Sequence, residues 1–208
     1  MGPRSRLLPR QAGAALCLLL AAGPAGAHTA VQGIGDFYAG MLHPLTALEH
    51  VLPFVAFGLL TGQQGPRVQA AVIVFVAALL AGATGALWAP GLQHVAFVNI
   101  ASAVVIGALV AAAWRLPGAL VYGIAVVFGL SHGYANGTAV SGAIRPYLFI
   151  PGIGLAGLLV PLYVMMLADL ALRRGPPWTH IAVRVAGSWI TAIGVLVLAT
   201  SWKAIMST

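Results

Sequence analysis

The sequence predicts an all-α, polytopic membrane protein: a compact bundle of six transmembrane helices behind a cleavable signal peptide. Three observations carry this prediction. Of 208 residues, 61% are hydrophobic and 6% charged, with a mean hydropathy of +0.99. A soluble domain carries about 25% charged residues. A chain this poor in charge cannot cover a water-facing surface, so its solvent must be largely lipid. The 26 glycines fit the same class, because small residues let membrane helices approach closely. The third observation is six apolar runs, each close to the roughly 20 residues that cross a bilayer. The ten Lys/Arg residues are scattered singly or in pairs, so no basic face suggests nucleic acid as a partner.

The chain begins with a signal-peptide pattern over residues 1–27. Arg4, Arg6 and Arg10 form a basic n-region, and Ala14 to Ala22 form an apolar stretch too short to span. Ala25-Gly26-Ala27 has the small-x-small form of a cleavage site. Cleavage after Ala27 leaves His28 as the mature N-terminus of a single domain, residues 28–208. The only cysteine, Cys17, lies in the leader, so the mature chain has neither thiolate ligands nor disulfides. Removing three arginines leaves seven basic and three acidic residues, a formal charge of +4.

Spans are expected near 45–62, 68–88, 92–114, 118–139, 149–172 and 180–201. Short links rich in Gly, Pro or Arg separate them and make neighbours antiparallel. Cleavage places His28 outside the cytoplasm, and six spans return the C-terminus to that side. Arg67, Arg115, Arg173 and Arg174 then fall on cytoplasmic links, with only Arg145 and Lys203 outside. This asymmetry obeys the positive-inside rule. The expected location is a bacterial inner membrane with both mature termini periplasmic.

Ionisable groups within spans are costly and usually mark a pathway or site. Span 1 opens with His43-Pro44-Leu45-Thr46-Ala47-Leu48-Glu49-His50. His43-Pro44 reads as a helix start, since Pro is tolerated at the first helical position. His43, Thr46 and His50 would then share one helix face, with Glu49 about 100° away. Glu49 can join from the flank or orient a histidine as a second partner. The plainer alternative is that Glu49 and His50 simply pair. Span 4 carries His132 and Asn136 at i and i+4, stacked on one face, and Gly129, Gly133 and Gly137 as a small-residue stripe. Its plain alternative is a packing helix with one satisfied histidine. Counting about 1.5 Å per residue from the outer ends sets His50 and His132 at similar depth. Asn99 of span 3 falls near that depth. Asp36 precedes span 1 as a collecting ligand or a helix cap. The amine and imidazole of His28 can chelate a cation together, or belong to a disordered terminus. Asp169 and Arg173, at i and i+4, read as an ion pair.

Imidazoles, a carboxylate and no thiolates match Ni²⁺, Co²⁺ or Zn²⁺. The expected site comprises His43, Glu49, His50, His132, Asn136, Asp36 and His28. No nucleotide-binding motif is present, so transport would be passive or ion-coupled. Protonation of the ligands would compete with metal.

At these motifs the chain resembles the HupE/UreJ membrane proteins. His43 to His50 is similar to the family's H-P-x-x-G-x-D-H, and Phe128 to Gly137 is similar to F-x-x-x-H-G-x-A-H-G-x-E. Asp36 to Gly40 and Ala27-His28 add to the likeness. The resemblance implies a six-span nickel permease linked to hydrogenase or urease maturation, with no prosthetic group. It departs at Ala47 for Gly, Glu49 for Asp, Asn136 for the second His and Ala139 for Glu. These changes leave nickel, cobalt and zinc open as cargo. They also leave open a non-transporting accessory role. An intramembrane metal hydrolase is a further alternative, with Glu49 as base, but neither H-E-x-x-H nor Gly-x-Ser-Gly is present.

Overall fold

The computed structural model describes residues 35–92 and 94–206. The expected leader, its cleavage site and His28 lie outside them. The described residues form helices without strands: α1 (Asp36–Thr46), α2 (Leu48–Gln64), α3 (Ala71–Ala86), α4 (Val95–Ala112), α5 (Gly118–Gly137), α6 (Pro146–Arg174) and α7 (Trp178–Met206). Five helical segments are long and apolar enough to span a membrane, and α1 with α2 passes the same test as a pair bent by 79°. Five or six crossings follow, depending on whether the bent pair is one span. The chain is thus a multi-pass membrane protein.

The bend corrects the expectation of a straight first span beginning at His43-Pro44. Helix α1 starts eight residues earlier than Pro44, and Pro44 lies within it. The chain then turns extended at Ala47, at φ −110° and ψ 120°, before α2 begins. Alanine favours helix, so this break is imposed by tertiary packing. Gly40 of α1 sits against the Phe149 backbone of α6, and Gly152 of α6 against the Phe37 backbone; a Cβ at either would meet a carbonyl oxygen at 2.0–2.1 Å. Docking α1 onto α6 this closely fixes its direction independently of α2.

The same logic assembles the other helix pairs. The stripe at Gly129, Gly133 and Gly137 lies on α3, whose Leu79 carbonyl would be 1.9 Å from a Cβ at Gly133. Gly58 and Gly62 bring α2 onto α6, and Gly107 and Gly187 bring α4 onto α7. With no hydrophobic drive between helices in lipid, such close van der Waals contact holds a bundle together. Phe54, Phe57, Phe75, Leu79 and Ile153 are fully buried among them, and Phe57 stacks on Phe75. Outward faces carry Ile73, Val105, Val127 and Leu196, as a lipid-facing surface requires. Trp88, Trp114 and Trp178 stand exposed at helix ends, the usual level of the bilayer interface.

Candidate functional site

Four helices bring polar side chains together at the end of the bundle where α2 begins. His50 is in the first turn of α2, and His132 lies toward the C-terminal end of α5. Both are buried, at 5% and 0% exposure. Their Nδ1 atoms are 2.9 Å apart and the ring centroids 5.2 Å apart, so the two nitrogens meet almost head-on. That is hydrogen-bond geometry: one Nδ1–H donates to the other Nδ1. The spacing is also small enough for both to reach one ion at about 2.0–2.1 Å after a tilt of the rings.

The pair has a polar backing. His132 Nε2 lies 2.8 Å from Ser102 Oγ on α4, and Ser102 donates to the Asn99 carbonyl at 2.6 Å. Ser131 donates to the Asn99 side-chain oxygen. The Phe54 ring packs edge-on against the other side of His132. Asn99 is at the depth the sequence indicates, lining a neighbouring cavity and bridging two helices, whereas Ser102 was no site candidate in the sequence. A serine in an apolar helix, thirty positions from the histidine it supports, gives no local signal.

Beside His50 lies a cavity of about 440 Å³, with His132 buried behind it and off the lining. His43, Glu49, His50, Asn99, Tyr134, Thr138 and Ala139 are among its walls. His43 reaches it from the last turn of α1, its ring centroid 6.4 Å from that of His50. Their spacing predicts a shared helix face, but they lie on two helices, and the break at Ala47 turns them toward one another instead. Glu49 is exposed on the cavity wall, while its neighbour His50 is buried. The Tyr134 hydroxyl accepts from Leu92 N–H and donates to the Ala89 carbonyl, both at 2.8 Å. It thereby fastens the α3–α4 loop along the cavity rim.

Two other expected ligands are placed elsewhere. Asp36 accepts from the backbone and guanidinium nitrogens of Arg145, the latter at 2.6 Å, and does not line the cavity. Asn136 is fully buried and donates to its own helix at the His132 carbonyl, 2.7 Å away. Its Oδ1 has no hydrogen-bond partner and the residue does not line the cavity. Among the described residues, no three His, Cys, Asp or Glu side chains converge as a ready ion site.

The family model for HupE / UreJ proteins matches residues 16–197. The chain belongs to the HupE/UreJ family. Searches of curated proteins and of solved structures gave no match. HupE/UreJ membership makes this a membrane protein of a family linked to nickel and cobalt handling, one of transporters and accessory proteins. Hydrogenase and urease are the systems with which HupE/UreJ proteins are generally linked. In this HupE/UreJ chain, Ala139 lies on the wall of the cavity where its resemblance to the family pattern would place a glutamate.

Proposed function

We propose that this chain is a permease for a divalent transition metal, nickel or cobalt, carrying it from the periplasm across the bacterial inner membrane. The observation that carries the reading is the buried His50–His132 pair, whose His50 lines a cavity also walled by His43 and Glu49. Buried imidazoles and one carboxylate suit borderline divalent cations, and ionisable groups at membrane depth are rarely retained without function. In this reading His43 and Glu49 receive the ion, and His50 and His132 hold it as it sheds water. Glu49 swings inward to complete the ligand set, its carboxylate offsetting part of the ion's charge. The cargo is a substrate, and the protein needs no prosthetic group. Asp36 organises the surface through Arg145, and His28 remains a candidate collecting ligand at the mature N-terminus. The cargo would serve hydrogenase or urease maturation.

Uptake of radioactive Ni²⁺ and Co²⁺ by cells expressing the protein tests this reading. Expression should raise accumulation, and His50→Ala or His132→Ala should remove about 90% or more of the gain, since deleting a ligand forfeits well over a tenfold share of affinity. Accumulation unchanged by expression would sink the proposal. Zinc uptake in place of nickel and cobalt would reassign the cargo.

A further inference from the structure

The hydrogen bonds behind the histidine pair assign a role to Ser102. Two oxygens 2.6 Å apart need a proton between them, and a carbonyl has none to give. The Ser102 hydroxyl therefore donates its single proton to the Asn99 carbonyl. Toward His132, 2.8 Å away, Ser102 Oγ can then only accept. His132 Nε2 must carry a hydrogen, which leaves Nδ1 of the neutral ring bare. That bare Nδ1 is the atom facing His50 Nδ1 at 2.9 Å.

We propose that Ser102 is a positioning residue which locks His132 in the Nε2–H tautomer and so presents Nδ1 as its cation-binding atom. The inference rests on the permease reading for its consequence, but not for its geometry. With His132 fixed, His50 supplies the proton in the empty pair. His50 is then the ring that must turn or change tautomer when an ion enters, while His132 stays in place. Burial enforces the division of labour. Ser102 and His132 are both at 0% exposure, so no water competes for Nε2. Ser102 sits on α4, and α4 meets α5 here at the Asn99–Ser131 contact, so the tautomer depends on the packing of those two helices. The single hydroxyl proton also explains why a second acceptor matters: without the Asn99 carbonyl, Ser102 could donate to Nε2 and impose the opposite tautomer.

The test is nitrogen-15 spectroscopy of histidine-labelled, full-length protein in lipid nanodiscs, with the His132 signals identified by their loss in His132→Gln. Wild type without metal should show a protonated Nε2 and a bare Nδ1 at His132. Ser102→Thr keeps the hydroxyl and should keep this pattern. Ser102→Ala should give mixed tautomers and lower Ni²⁺ affinity about 10- to 100-fold, the usual penalty for losing a partner that orients a ligating histidine. A wild-type His132 protonated at Nδ1 overturns the inference without recourse to any variant. So does a Ser102→Ala protein with the wild-type tautomer and affinity. If wild type shows the expected tautomer but binds no Ni²⁺, Co²⁺ or Zn²⁺, the permease reading and the cation-binding role of Nδ1 fail, while the tautomer lock by Ser102 stands.

Discussion

At the scale of single residues, the site combines one part visible in the sequence with another that was not. His50 and His132 could be set at one depth because helices advance at a constant rise, so counting from each outer end suffices. Their contact at 2.9 Å is the result of that register. Asn99 was legible by the same depth count, but Ser102 behind them was opaque, because hydrogen bonds between helices leave no spacing in the chain. Asn136 shows the reverse failure. Its i+4 relation to His132 is real, yet the side chain folds back onto its own helix and leaves Oδ1 unmatched. An orphaned buried acceptor costs about 1–3 kcal/mol, a burden that the bland reading as packing does not explain. Position 139 offers a direct handle. Ala139 already faces the cavity, so Ala139→Glu adds a carboxylate there without rebuilding the backbone. The variant should bind divalent cations about threefold to tenfold more tightly, since cation sites are tuned by the number of charged ligands. Isothermal titration of the purified variant against wild type measures this. An unchanged affinity would place the ion away from the cavity wall.

At the scale of helices, apolar runs and links were legible because hydrocarbon thickness sets their length. The expected 118–139 and 149–172 became Gly118–Gly137 and Pro146–Arg174. The first span departs from its expected form. Pro44 looked like a helix start, whereas it sits near the end of α1, and the break falls at an alanine with no breaking tendency of its own. What bends the chain is the α1–α6 contact at Gly40 and Gly152, over a hundred residues apart in sequence. The glycine stripe on α5 was legible, and the structure supplies its partner, α3. This gives a paired test. Gly133→Ala places a Cβ 1.9 Å from the Leu79 carbonyl, a backbone atom that cannot yield cheaply, whereas Gly123 has nothing within 4 Å. Gly133→Ala should lower stability in detergent by about 1–3 kcal/mol or more. Gly123→Ala should be neutral or slightly stabilising, as expected for replacing glycine in a helix. Thermal unfolding of the two variants side by side reads the difference, and equal melting would mean that α3 and α5 are not packed through Gly133.

At the scale of the whole molecule, the two ends of the bundle differ in charge. Helix α2 runs from Glu49 and His50 at one end to Gln63 and Gln64 at the other, about 20 Å away at helical rise. At that far end Arg67, Arg115, Arg173 and His180 meet around a second cavity of about 510 Å³, where Asp169 pairs with Arg173 at 2.8 Å. Links that the sequence assigned to one side thus converge in space. The expected orientation can be checked by single cysteines, since the only native one lies in the expected leader. Thr138→Cys should react with a membrane-impermeant thiol reagent added to spheroplasts. Arg115→Cys should react only after the membrane is broken, and the opposite pattern would invert the topology. For a divalent cation this asymmetry has a kinetic meaning. The end with Glu49 concentrates cations at its mouth, and the end with three guanidiniums against one carboxylate depletes them. Under the permease reading, an ion that has left through the basic mouth would meet a repulsive field on any attempt to return. The bundle would therefore behave as a rectifier, admitting cations faster in one direction than the other under equal and opposite gradients. That bias should flatten as added salt shortens the reach of the arginine field to a few ångströms.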